Sequence, residues 1–178
     1  MAGSIKNINI SGYSAGYTYQ QYDVVSYPSG NRSLYFVSVS GQHSAQLDTV
    51  SYASNASWKR FDDVSWAFTD VWTPTYGSQI NLEPKPKLAV FGDGYVQRSD
   101  GGLFGNLLGY EMTFKDINNQ ELKSLVAFFE YKGGADYFIS DLNSFITGRR
   151  FIGKNWKHDH KADNINDFSV SLFESISS

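Results

Sequence analysis

The sequence predicts a mainly β fold with a single α-helix, laid out as two consecutive units. Residues 1–64 read as a small N-terminal β module, and residues 65–178 as an α+β unit of β-sandwich or β-barrel-like type. Three observations carry this. The chain holds 12 Tyr, 13 Phe and 4 Trp, and aromatic side chains suit a pleated, half-buried surface. Short apolar runs alternate with Gly, Pro, Asn and Ser clusters, the punctuation of strands and turns. A helical period occurs clearly only once, near residues 119–132. At 178 residues the chain can bury one good core or two small ones.

In the N-terminal module, Val24 to Tyr27 and Leu34 to Val39 are strand-like runs. They are separated by Pro28-Ser29-Gly30-Asn31 and followed by the polar segment Ser40 to Gln46. No helix is expected between Tyr17 and Asp62. So short a module has little core of its own, so Tyr19, Tyr27, Tyr35, Phe36 and Trp58 must supply most of its buried area, and it should lean on its neighbour. The boundary falls near Asp62 to Trp66. Trp66, Phe68 and Trp72 are too apolar for a free linker, and either begin the second core or pack one unit on the other. Pro84 and Pro86 make Glu83 to Lys87 an extended arm or edge strand, because proline lacks an amide donor.

The second unit opens with a hairpin across Asp93-Gly94, read as a type I′ turn with positive φ at both central residues. Leu108, Tyr110, Met112 and Phe114 alternate with period two, a half-buried strand. Asn118 or Asn119 then caps a helix whose Leu122, Leu125, Val126 and Phe129 recur at i, i+3, i+4 and i+7, ending at Gly133-Gly134. Asp136 to Ile139, Arg149 to Lys157 and Phe168 to Phe173 read as three further strands, the last with Phe168, Val170 and Leu172 on one face.

Composition and motifs narrow the chemistry. With no cysteine, disulfides, zinc-cysteine sites and iron-sulfur clusters are excluded. No apolar run approaches the roughly 20 residues of a membrane span, and no secretory signal pattern opens the chain, so it is expected to be made and kept in a cytoplasm. Without that signal, the acceptor patterns at Asn31 and Asn55 are read as chance. A formal charge of -3 gives no broad cationic face, so neither sequence-specific nucleic-acid binding nor membrane binding is expected. Arg149, Arg150, Lys154, Lys157 and Lys161 are read as a solvated strand face.

His43, His158 and His160 are the only histidines. His158 and His160 would share a face if their strand ran on, but they are read as loop residues, and no metal or cofactor is assigned. GxSxG is absent, Asp62-Asp63 are adjacent and would point oppositely on a strand, and the glycines from Gly92 to Gly109 lack a phosphate-loop pattern. No catalytic residue is assigned, and the chain is not expected to be an enzyme.

Phe91-Gly92-Asp93-Gly94-Tyr95 with Gln97-Arg98, then Gly102, Asn106-Leu107 and Tyr110, then the helix with its Gly133-Gly134 exit and Tyr137-Phe138, carry a resemblance. From about Trp72 to Glu174 the chain resembles the minor tail protein family of long-tailed bacteriophages, of the tail-tip protein M type. The resemblance implies a structural protein at the distal end of the virion tail. It would form a six-fold homo-oligomeric ring between the tail tube protein and the hub or baseplate proteins. Ring closure needs one patch to meet a different patch on the next subunit. Phe91, Gly92, Asp93, Gly94, Tyr95, Gln97 and Arg98 of the hairpin, with Leu103 and Phe104 of the following loop, are the candidate inter-subunit contacts.

Residues 17–62 resemble the chitin-binding type of carbohydrate-binding module through Tyr19, Tyr22 to Tyr27, Leu34-Tyr35 and Trp58. Tyr22 stands where that family has glycine, and Val37-Ser38-Val39-Ser40 where it has a tryptophan pair. Tyr17, Tyr35 and Trp58 are the candidate glycan contacts. This module is read as a decoration, or as a docking site for a tail fibre. The alternative is a host-surface adhesin whose N-terminal module binds cell-wall glycan.

Overall fold

The structure, a computed structural model, describes residues 5–28, 34–44, 46–47, 56–75, 78–82, 87–92, 94–99, 107–144 and 146–175. It is mainly β, with one α-helix among the described residues. The first sheet has four strands in the order β1 (Ser11–Gly12), β2 (Val24–Tyr27), β3 (Leu34–Ser38) and β4 (Trp58–Arg60). β1 runs parallel to β2, and the other neighbours are antiparallel. Successive side chains of a strand point to opposite faces, so this sheet presents two apolar surfaces. Val24, Tyr35 and Val37 join one cluster, while Val25, Phe36 and Trp58 join another with Tyr19 and Leu47.

β5 (Gln79–Leu82), β6 (Lys87–Val90) and β7 (Val96–Ser99) come next, followed by β8 (Leu108–Ile117), α1 (Asn119–Lys132), β9 (Phe138–Ser140), β10 (Arg149–Ala162) and β11 (Ile165–Glu174). Five of these strands form an antiparallel sheet in the order β5-β8-β11-β10-β9, whereas β6 and β7, among the described residues, pair only with each other. On the sheet's inner face Tyr110, Met112 and Phe114 of β8 lie beside Phe168, Val170 and Leu172 of β11, all buried. The period-two patterns read from the sequence produce this face. β10 runs through residue 162, so His158 and His160 are strand residues and not loop residues. β11 pairs with this extension from Asp159↔Asp167 to Ala162↔Ile165, with a register shift between His160 and Ala162.

The Asn118 side chain accepts from the Glu121 backbone N–H at 2.8 Å, and α1 ends at Gly133 with φ 58°. Stacking of Phe129 on Phe168 (5.6 Å, 22°) holds the helix against the five-stranded sheet. Phe128 and Tyr131 turn instead toward the four-stranded sheet, where Phe61 lies edge-on to Phe128 and Tyr35 edge-on to Tyr131. The helix is thus buried from two sides. A 3-10 turn at Phe68–Asp70 sits at the junction, with Phe68 within 5.7 Å of the rings of Trp72, Phe128, Phe129 and Phe138. Trp72 donates its indole N–H to the Ser124 hydroxyl at 2.8 Å inside this core.

The N-terminal segment crosses the helix on its way to β1. Lys6 and Asn7 backbone N–H groups both donate to Glu130 Oε2 at 3.2 Å, and Ile5, Ile8 and Ile10 pack on the aromatic cluster. Gln120 donates to Asp23 across the same junction. Tyr22 has φ 69°. A non-glycine residue in that region costs about 1–2 kcal/mol, offset here by its packing on the core.

Candidate functional site

The β6–β7 hairpin combines a turn motif with exposed apolar side chains. Its ladder runs from Lys87↔Ser99 to Val90↔Val96. Beyond it the Phe91 N–H donates to the Tyr95 carbonyl at 2.9 Å, and the Gly94 N–H to the Phe91 carbonyl at 3.0 Å. These two bonds close the hairpin tightly between Phe91 and Tyr95; the type I′ geometry expected at Asp93-Gly94 depends on Asp93, which lies outside the described residues. Gly94 has φ 84°, the left-handed region that glycine adopts at hairpin turns.

Cross-strand partners share a face, so Leu88, Val90 and Val96 line one side of the ribbon, and Phe91 and Tyr95 lie on the other with Ala89 and Gln97. The exposures are high: Leu88 58%, Val90 72%, Phe91 49%, Tyr95 63% and Val96 46%. The run Leu88-Ala89-Val90-Phe91 has the composition of a strand buried on both faces, yet it is solvated on both. The Phe91 and Tyr95 rings are 6.0 Å apart at the loop. Of the sequence candidates, Phe91, Gly92, Gly94, Tyr95 and Gln97 are brought together here, and Arg98 takes its register opposite Leu88. Asp93, Leu103 and Phe104 lie outside the described residues. Leu88, Val90 and Val96 were not among the candidates; the signal that marks them is an unbroken apolar run flanking a turn motif.

The glycan candidates are separated. Tyr35 faces α1, where it meets Tyr131, while Trp58 lies on the opposite face of the sheet, 1% exposed and edge-on to Tyr19 at 5.0 Å. Tyr17 is 59% exposed and its ring meets Tyr19 at 4.8 Å. Of the three, Tyr17 alone offers an open ring.

Polar groups elsewhere are engaged locally. Ser38 Oγ lies 2.7 Å from His43 Nε2, but Ser38 is fully buried and out of reach of a substrate. Burial holds the His43 pKa below its usual value, opposed by Asp23. Asp62 pairs with Arg60, and Asp63 accepts from the Ser65 N–H at 2.8 Å. His160 Nδ1 lies 2.8 Å from Asn166 Oδ1. Lys132 is buried, donates to the Tyr137 carbonyl at 3.2 Å and lies 5.7 Å from the Phe128 ring centroid. Burial lowers its pKa, against the pull of Asp136, Asp62 and Asp63. The outer face of the five-stranded sheet forms an open, polar cleft of about 480 Å³ that includes Glu111, Thr113, Lys157, Asp159 and Asp167. At its margin Lys161 bridges Asp167 at 2.8 Å and Asp116 at 3.0 Å, which raises the Lys161 pKa and lowers that of Asp167. Among the described residues no three His, Asp or Glu side chains converge as a metal would require.

Contiguous exposed apolar side chains on a folded scaffold are a common mark of surfaces that meet other molecules. No family model matches the chain. It is 34% identical over 68 residues to tail tip protein M of Escherichia phage lambda, a match covering 38% of this chain and 62% of that protein. The chain therefore spans less than two thirds of the length of that relative. The similarity supports the phage minor tail protein family for this chain.

Proposed function

We propose that this protein is a structural, non-enzymatic component of a phage tail tip. It closes into a ring with copies of itself between tail tube and hub, at the distal end of the tail. Residues 65–178 form the ring unit in this reading, and residues 1–64 decorate it or dock a further tail protein. The observation that carries the proposal is the β6–β7 hairpin, apolar on both faces and solvated in the isolated chain. Similarity to a protein named for the tail tip supplies the setting.

Energetics favour closure over a simple pair. Burying a Val, Leu or Phe side chain from full exposure contributes about 1.5–3 kcal/mol, so five residues about half exposed supply roughly 4–8 kcal/mol. Association costs about 4–15 kcal/mol in lost freedom. A lone contact of this size is marginal, whereas a closed ring gives every subunit two.

Assembled tails carrying a labelled copy of this chain, imaged by electron microscopy, test the proposal. Label confined to the tip is the expected result. Tails that are complete without it, with the chain found only as monomers away from the tip, refute the assignment.

A further inference from the structure

The five-stranded sheet has one long edge that its own strands leave open. β9 pairs with β10 only from Arg149↔Ser140 to Phe151↔Phe138. From Ile152 to Ala162, among the described residues, β10 is bonded to β11 on one side and to no strand on the other. Two open clefts follow this edge. One, of about 520 Å³, is lined by Gly133, Gly134 and Gly153 to Trp156. The next, of about 500 Å³, has Ile8, Leu122, Val126 and Trp156 as its apolar lining and Lys123, Glu130 and His158 as its charged or titratable lining.

We infer that this edge and its clefts receive the β6–β7 hairpin of a second copy, as an added strand. This rests on the ring reading above and names the surface that the hairpin meets. Three features fit. An exposed edge offers unpaired backbone N–H and C=O groups, which a partner strand satisfies while its alternate side chains fill flanking pockets. The hairpin strands bring four residues each and, among the described residues, pair only with one another, so each presents an edge that no described strand occupies. Leu88, Ala89, Val90, Phe91 and Val96 carry no charge, which suits the Ile8–Leu122–Val126–Trp156 lining, while Glu130 is already held by the Lys6 and Asn7 amides. The β10 edge also resists indiscriminate pairing. Lys154, Lys157, Asp159 and Lys161 are exposed, and the register shifts between Lys154 and Lys157, where Asn155 has φ 53°. Such charges and bulges blunt a sheet edge against non-specific partners. Since hairpin and receiving edge are different patches of one chain, the contact is heterologous and can propagate around a ring.

Because the chain has no cysteine, paired cysteines report the contact without background. Full-length Val90→Cys/His158→Cys and Val96→Cys/His158→Cys are oxidised mildly beside the single variants, Ile80→Cys/His158→Cys, and the uncrosslinked chain in sedimentation. The substituted side chains are exposed, and each variant is scored only with a wild-type melting curve. The expected result is a ladder of covalent oligomers from a hairpin–His158 pair and from neither single variant. Val90→Lys should weaken self-association at least about tenfold. Oligomers in sedimentation with no ladder, or a ladder from Ile80→Cys/His158→Cys instead, overturn the inference and leave the ring reading standing. A chain that stays monomeric at every concentration, with no ladder, likewise overturns the inference, while the labelled tails decide the ring reading.

Discussion

Replacing Gly153 by alanine tests how closely α1 is seated on the five-stranded sheet. A Cβ at this position would stand 2.6 Å from both Cδ1 and Cε1 of Phe129, against an ordinary contact of 3.4–4 Å, so the ring must withdraw by about 1 Å. It has little room to do so. Phe129 is fully buried, stacked on Phe168 at 5.6 Å and on Trp156 at 6.0 Å, with Phe68 at 5.6 Å and Phe138 at 5.8 Å. Overpacking a filled core costs about 1–3 kcal/mol, and each disturbed aromatic pair adds up to ~1 kcal/mol. Removing a strand glycine returns only about 0.5–1 kcal/mol of backbone entropy. The net expectation is a loss of about 2–3 kcal/mol, or roughly 6–9 °C in melting temperature for a chain of this size. Urea denaturation followed by tryptophan fluorescence measures it, and the double variant with Phe129→Leu should recover at least about 1 kcal/mol relative to additivity. A Gly153→Ala change below about 0.5 kcal/mol, or strict additivity with Phe129→Leu, refutes the close approach.

Other consequences follow from single groups. Ser124→Ala leaves the buried Trp72 indole N–H without its 2.8 Å acceptor, so a loss of about 1–3 kcal/mol is expected by denaturant titration. Ser140 is buried with no hydrogen-bond partner for its hydroxyl among the described residues; Ser140→Ala should therefore be neutral or stabilising by up to ~1 kcal/mol in the same assay. Burial, reinforced by Asp62 and Asp136, pushes the Tyr131 pKa up to about 12 from 10.0. The unfolded chain then loses this proton first as pH rises, so stability is full below pH 10 and falls between about 10 and 12. Tyr131→Phe should flatten this alkaline limb in pH-dependent melting curves. Gly94→Ala meets no neighbour within 4 Å, so its cost comes from φ 84° alone. About 1–2 kcal/mol of local stability should be lost, visible as faster amide exchange in the hairpin with an unchanged global melt.

Much of residues 108–174 is legible because the signals there are local and periodic. Alternation from Leu108 to Phe114 and from Phe168 to Leu172 defines one sheet face, and the i, i+3, i+4, i+7 spacing with its Asn118 cap defines the helix. β1, β4 and β5, of two to four residues each, are too short to carry a period and take their conformation from the strands they join. The histidines of β10 were misread for a related reason. Lys157 to Lys161 is polar on both faces, and only its ladder with β11 makes it a strand.

The same division holds at the candidate site. The glycine and acidic residues from Phe91 to Tyr95 mark a hairpin, but whether an apolar hairpin is covered depends on what the rest of the chain places against it. Likewise, Trp58 and Tyr35 look alike as aromatic residues in a small β module. Side-chain alternation and the position of α1 send one into the module's own core and the other onto the helix. By itself, then, the sequence determined the strand and helix propensities and the Asn118 cap, which depend on neighbours along the chain, and through its composition the absence of thiol chemistry. Tertiary structure alone decided which apolar faces are buried and which stay open, because burial is fixed by surfaces that meet across more than a hundred residues, as where Glu130 receives the amides of Lys6 and Asn7.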